Sequence, residues 1–356
     1  MHADYRKRHA FCKELQNARH SRQLVKQALG FRKIMRKILN ITNGDCAVDI
    51  MKKAGIAGKF LPWRDVLHDG PVPKGLGLEA LSEIRAEFII SRNWGEPEVI
   101  KRDFIERDGI LKSFQEYEKV ILWFEHDLYD QLQIIQILDW FHENGKNKVE
   151  LSLICRDKYL GMLSPNEMKE LLNYEEPVTK KHLLLSSKAW SAFRENSPEL
   201  WSQLLNEDIS ALPFLKGAVI RMLEEYPSCY NGLSRTGQQA LKIITKGEKL
   251  ANKVFGLSQE LEERMFLGDS SFWVILQEFL DSSPALLKLS EGKKLTLPTA
   301  KDQELTITSA GLEVLSGKRN WLEITNFDRW VGGVHLEASN VWCWNSDSSF
   351  IKKPNK

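Results

Sequence analysis

Apolar and polar positions alternate in three different textures along the chain. In the first, short apolar runs bounded by turn residues are separated by helix-period stretches. "KILNIT" ends in Asn43-Gly44-Asp45, which supplies turn chemistry, and "CAVDIMKKAG" then reads as a short helix with Asp45 as its cap and Gly55 as its stop. "KFLPW" reads as a second strand. Pro62 offers no N–H to a ladder, so this strand belongs at a sheet edge. "RDVLHDGPVPKGLG" is turn-rich and reads as a loop, and helix follows over "LEALSEIRAEFIISRN" and again across 98–116.

The run Val120–Phe124 shows no alternation, as a strand covered on both faces of a parallel sheet requires. In the helix that follows, Leu128, Leu132, Ile135 and Leu138 form one stripe, and Ile134, Ile137 and Phe141 widen it beyond a simple surface face. A further strand, "VELSLICR", completes an order that predicts an open, mostly parallel, Rossmann-like α/β sheet over residues 35–175.

The second texture, over 176–228, is purely helical, with Trp190, Phe193, Trp201, Leu204, Leu205, Phe214, Leu215 and Leu223 as expected core residues. In the third, over 229–350, three helical stretches precede the strand-like pieces "ALLKLS" and "KLTLP" and a short helix in "LTITSAGLEVLSGK". That element order predicts a winged-helix-like module.

Composition adds bounds. With 356 residues, 42% apolar and 28% charged, the chain can build real cores without a metal or disulfide staple. No window carries the apolar length of a membrane span, so membrane insertion is not expected. Cys12, Cys46, Cys155, Cys229 and Cys343 are dispersed and form no C-x-x-C pair, which fits a reducing, cytoplasmic setting. The net charge of +2 hides an asymmetry: residues 1–37 hold 11 Lys/Arg against Asp4 and Glu14, and the remaining 39 basic and 46 acidic residues leave the body at −7. Residues 1–34 are a basic leader without the apolar core of a secretory signal. It reads either as a nucleic-acid-binding arm or organellar presequence, or as an extra segment before a start at Met35.

Candidate chemistry collects at the carboxyl ends of the expected parallel strands, where open α/β sheets bind ligands. The first end supplies Asn43, Gly44 and Asp45; the second Arg64, Asp65, His68 and Asp69; the third Glu125, His126, Asp127 and Gln131. Asp45 and Asp127 are candidate metal ligands, with Mg²⁺ or Mn²⁺ the first expectation for oxygen donors and Zn²⁺ the second. His126, Asp65 and His68 are candidate acid–base groups. Asn43, Gly44, Arg64, Glu125 and Gln131 are candidate ligand contacts, with Arg64 a bidentate clamp for a small anionic ligand. The competing reading makes Asp45 and Asp127 helix caps, pairs Glu125 with a lysine and buries His126 against the helix.

Cys46 lies in a first helical turn that favours a thiolate, yet a small buried apolar role suits it equally. No G-x-G-x-x-G or G-K-[ST] element supports a standard phosphate-binding loop. Between Gly256 and Ser283, Glu260, Glu262, Glu263, Asp269, Glu278 and Asp281 face a single Arg264, which argues against DNA binding through the third region and for protein contact or a lid. Near the end, "DRWVGGVHL" offers Arg329 and His335 as further ligand contacts, Trp330 as a docking anchor, and a glycine pair suited to a tight turn or a close backbone approach.

"NITNGDCAVDIMKKAGIAGKFLPWRDVLHDGPVP" together with "LWFEHDLYDQLQIIQILDWF" resembles the bacterial family defined as the domain of unknown function 1835. The positions that carry the likeness are Asn43, Gly44, Asp45, Trp63, Arg64, Asp65, Gly70, Pro71, Glu125, His126, Asp127 and Gln131. "FLGD", "LTITSAGLEVLSG" and "DRWVGGVHL" look like the C-terminal extension of its long members. The resemblance implies a cytoplasmic bacterial protein with Met35 as its natural start and argues against a Cys46 nucleophile, but it brings no reaction with it. The expected function is a metal-assisted hydrolase of a small phosphorylated or nucleotide-like compound; the alternative is a non-catalytic ligand sensor or regulator.

Overall fold

The computed structural model describes residues 37–145, 149–292, 294–296 and 303–353. The basic leader over 1–34 and the end of "KLTLP" lie outside them. The chain enters a five-stranded sheet through β1 (Ile38–Thr42), followed by α1 (Asp45–Lys53), β2 (Lys59–Pro62), α2 (Leu78–Ser91), α3 (Pro97–Lys112), β3 (Lys119–Phe124), α4 (Leu128–Asn144) and β4 (Glu150–Cys155). After α5 (Pro165–Glu170) a two-residue strand, β5 (Glu176–Pro177), closes the sheet. The order is β2-β1-β3-β4-β5, with the first four strands parallel and β5 antiparallel to β4.

The sheet residues explain their own pattern. Leu39, Ile41, Val120, Leu122 and Phe124 belong to one core; Ile121, Trp123 and Ile154 belong to a second on the opposite face, with Ala47, Met51 and Met168. Both sets of β3 residues are therefore apolar, which is why the strand shows no period-two alternation. Pro62 ends the edge strand, and Asn40, buried at the centre of β1, donates to Ala57 O at 3.1 Å and accepts from Trp123 Nε1 at 2.9 Å.

Helix α4 is buried nearly all round, and its glutamines are matched to fixed partners: Gln133 Nε2 donates to Asp65 O at 2.9 Å, and Gln136 Oε1 accepts from Trp63 Nε1 at 2.8 Å. It packs along α6 (Lys180–Phe193). Helices α7 (Glu199–Gln203) and α8 (Leu215–Leu223) follow, and residues of all three share one core with the sheet. The stretch 176–228, helical after β5, therefore packs with the α/β part rather than apart from it. No helix among the described residues is long and apolar enough to cross a membrane.

A separate core forms from α9 (Arg235–Thr245), α10 (Ala251–Glu260), α11 (Asp269–Asp281), the pair β6 (Leu287–Leu289) and β7 (Leu305–Ile307), and α12 (Ser309–Leu315). The chain then makes two hairpins, β8 (Asp328–Val331) with β9 (Val334–Glu337) and β10 (Cys343–Asn345) with β11 (Phe350–Lys352). Val331, Val334, Leu336, Trp342, Trp344 and Ile351 join the sheet's core, so the region 229–350 is divided between two cores rather than forming one. The glycine pair makes this docking possible. Gly333 N–H donates to Phe193 O at 2.9 Å, and a Cβ on Gly333 would lie 2.0 Å from Arg194 O. Gly333→Ala should lower stability by about 1–3 kcal/mol through overpacking against backbone; an unchanged urea midpoint would show that the hairpin is not tightly seated.

Candidate active site

Parallel strands β1 and β3 deliver Asn43 and Glu125 to the same edge of the sheet. Asn43 Nδ2 donates to Glu125 Oε1 at 2.8 Å and to Asp130 Oδ2 at 3.0 Å, and so bridges the two carboxylates. Asp130 Oδ1 accepts the Glu125 N–H at 2.7 Å, and Glu125 Oε1 also accepts the Leu160 N–H at 2.8 Å. Asp127 is the N-cap of α4, its Oδ1 accepting from the Asp130 N–H at 3.2 Å. The result is three buried carboxylates, Glu125, Asp127 and Asp130, each with an oxygen within 4.8 Å of the others.

Among the described residues, the donors that bond to this group are neutral. Burial, reinforced by the neighbouring Glu125, pushes Asp127 up to about 7; burial followed by Asp127 and Glu125 drives Asp130 well above the usual carboxylate range. Glu125 is raised by burial, partly offset by the Asn43 amide. Three carboxylates so placed must share protons or accept a cation.

They line a cavity of about 590 Å³ together with Asn43, His68, Trp94 and Tyr159 and with a cover drawn from α10 and the segment before and into α11: Phe255, Gln259, Met265, Phe266, Leu267 and Ser271. His68 is 4% exposed, and neither ring nitrogen has a partner. Its ring meets Tyr129 and Phe266 edge-on at centroid distances of 5.9 and 5.3 Å. Burial holds its pKa down at about 4, so the ring is neutral near pH 7, and leaving each nitrogen unbonded costs about 1–3 kcal/mol. His126 packs 5.0 Å from Tyr159 and 5.9 Å from Phe214, with Nδ1 buried and unbonded. Burial and then Arg264 lower its pKa. It is not among the residues lining the cavity.

Several sequence-selected residues have other work. Asp45 is exposed and held bidentate by Arg64, at 2.7 Å to each oxygen, while Arg64 also reaches Asp103 at 3.1 Å. Asp45 therefore does not join the carboxylate cluster, and Arg64 is no free anion clamp; each satisfies the other. Gly44, not Asp45, is the N-cap of α1, with Asp45 its first residue. Asp65 is fully buried against Arg85 at 2.9 Å, with Arg107 3.8 Å away, so an acid–base role gives way to a structural ion pair.

Gln131 supports the site from behind, donating to Glu125 O at 2.8 Å. Arg329 is committed to buried Glu225 at 3.1 Å. Together with Arg221 it holds Glu225 down at about 2 against the opposing effect of burial. His335 stacks on Trp330 at 4.5 Å and bonds Asp328 at 2.7 Å. Neither Arg329 nor His335 lines the cavity. Cys46 is exposed in the first turn of α1.

Asp130 escaped the sequence reading. Its signal was its position three residues after the cap Asp127, where a helix-start acid can reach back toward the preceding backbone N–H groups. A hollow of about 670 Å³ between α2 and α3 is lined by Glu79 and Glu87, but these already pair with Lys112 and Lys101, and it gathers no comparable set of unpaired groups. No family model matches the chain, and no curated protein matches it.

Proposed function

We propose that this protein is a metal-assisted hydrolase of a small phosphorylated or nucleotide-like compound, with Glu125, Asp127 and Asp130 as the cation site. The observation that carries this reading is the convergence of three buried carboxylates, without a cationic partner, on a cavity of ligand size. An all-oxygen donor set suits Mg²⁺ or Mn²⁺ better than Zn²⁺, since neither His126 nor His68 belongs to it. A bound cation would polarise a phosphoryl oxygen and activate water. The chain's own groups do the rest: Asn43 fixes Glu125 and Asp130, Gln131 holds the backbone of Glu125, and Phe255 and Phe266 give the cavity a largely apolar lining beside the carboxylates.

No Lys or Arg is among the residues lining the cavity, so an anionic substrate needs the cation as its bridge. The strand order 2-1-3-4 supports a Rossmann-like assignment with its ligand at the switch point between β1 and β3, the strands that supply Asn43 and Glu125. The order of α9, α10 and α11 followed by β6 and β7 in the C-terminal core supports a winged-helix-like assignment. The likeness to the domain of unknown function 1835 family and a bacterial cytoplasmic setting belong to the same reading, supported by Asn43, Glu125 and Asp127 bordering one cavity.

A ligand sensor is the second reading, favoured by one feature: part of the cover, Phe255 and Gln259 of α10 and Ser271 of α11, comes from elements of the separate C-terminal core, so an occupant would touch residues from both cores. A phosphatase and nuclease panel with Mg²⁺, Mn²⁺ and Zn²⁺ separates the two. Turnover that falls about 100-fold or more in both Glu125→Gln and Asp130→Asn is expected for the hydrolase. Saturable binding of a phosphorylated compound with no turnover under any metal would establish the sensor instead.

A further inference from the structure

We propose that the cavity recognises a nucleoside, with its heteroaromatic base held at the wall formed by His68, Tyr129 and Trp94 and its phosphorylated end turned toward the carboxylates. The inference rests on the hydrolase reading for the phosphorylated end only; the base end stands on His68 and its surroundings. His68 is almost wholly buried in the cavity wall, and both its nitrogens lack partners. A neutral imidazole offers one donor and one acceptor, on different ring atoms. An aliphatic ligand would leave both unused. An inorganic anion would find no Lys or Arg in the cavity lining: the imidazole is neutral near pH 7, and Arg85 and Arg329, whose charges reach His68, are already paired with Asp65 and Glu225.

A bare sugar phosphate fits poorly for a different reason. Its hydroxyls need a dense set of polar partners, whereas the lining other than the carboxylates is largely apolar, with Trp94, Phe255, Met265 and Phe266 among it. A nucleobase has the matching division, with apolar faces for aromatic stacking and a polar edge carrying donors and acceptors. The edge-on Phe266 ring, 5.3 Å from the imidazole, belongs to the cover, so it is the group a base edge displaces on reaching His68.

Binding of the common ribonucleosides, ribose 5-phosphate and Mn²⁺ alone to the full chain tests this by calorimetry. At least one nucleoside should bind without metal, and more tightly than ribose 5-phosphate. His68→Phe, which keeps an aromatic ring against Tyr129 and Phe266, should weaken that nucleoside about tenfold or more, and His68→Gln should restore much of the loss because it regains a donor and an acceptor. Mn²⁺ binding should be the same in His68→Phe as in the wild type.

In the wild type, ¹⁵N resonances of the His68 ring should shift on saturation with the nucleoside, a readout that survives even where a variant fails to fold. Absence of nucleoside binding overturns the proposal, as does full affinity in His68→Phe or an unmoved His68 ring. Loss of the Mn²⁺ response with nucleoside binding intact sinks the cation reading alone.

Discussion

Replacing Arg85 by Met is expected to cost about 3–5 kcal/mol of stability, because it strands a buried carboxylate. Arg85 and Asp65 are both fully buried. Arg85 Nε donates to Asp65 Oδ1 at 2.9 Å, and its terminal nitrogens donate to Pro71 O at 3.2 Å and Val66 O at 3.0 Å. One side chain thus neutralises Asp65 and ties down two carbonyls of the loop that carries Val66 and His68 into the cavity. Asp65 Oδ2 has no hydrogen-bond donor, and Arg107, in ion-pair range at 3.8 Å but bonded to Asp108 and Ser82, offsets the charge only in part.

Methionine keeps much of the volume and none of the charge. Urea denaturation should show the loss in the midpoint. The double variant Arg85→Met with Asp65→Leu should recover part of it, since the uncompensated charge is then gone and only the carbonyl contacts remain lost. A midpoint shift worth less than about 1 kcal/mol in the single variant would mean that the loop, rather than the ion pair, carries the load, and would reopen an acid–base role for Asp65.

The contrast between Asp65 and Glu125 shows how far the sequence reaches. Val120–Phe124 declares itself because a strand covered on both faces must be apolar at every position, and Pro62 marks an edge because it lacks an N–H. Once those strands are parallel, Asn43 and Glu125 must emerge on one side, whatever their separation along the chain. Asp127 as a cap is similarly local.

What the pattern conceals is pairing. Nothing in "NGD" or "WRDVLHD" tells Asp45 from Asp65: Asp65 finds Arg85 inside the fold and Asp45 finds Arg64 at its surface, and both partners are fixed by three-dimensional packing. The strand β5 is two residues long, too short for any periodicity. The final hairpins follow the C-terminal core in sequence, yet both join the sheet's core, the first through the close approach of Gly333, and the cavity's cover comes from residues more than a hundred positions beyond the carboxylates. The glycine pair signalled a close approach without naming the surface approached.

The second large effect links pH, stability and the cation. Glu125, Asp127 and Asp130 all have folded-state pKa values above their ordinary ones, Asp127 rising from 3.8 to about 7. The native state therefore holds more protons than the unfolded chain between roughly pH 4 and 7, and stability falls as pH rises through that window and stays low above it. A divalent cation reverses the balance, because it needs the carboxylates ionised and displaces their protons. Mn²⁺ affinity should accordingly climb between pH 5.5 and 7.5, by about tenfold per unit for each proton released, and the Mn²⁺-induced rise in Tm should be larger at pH 8 than at pH 6.

Glu125→Gln separates the proton-linked stability from cation binding. Its amide oxygen can still accept from Asn43 and the Leu160 N–H, while the amide nitrogen turns toward the remaining carboxylates. Without metal this variant should be more stable than the wild type at pH 8 by about 1–2 kcal/mol, with the gain shrinking toward pH 5, and it should lose the Mn²⁺ response. Such a pairing, a stability gain coupled to loss of binding, is the signature of acids held together for a ligand at the expense of the empty fold. A Glu125→Gln variant that is less stable at both pH values and still binds Mn²⁺ would show instead that the carboxylates serve the helix start and its hydrogen bonds, with no cation in their charge.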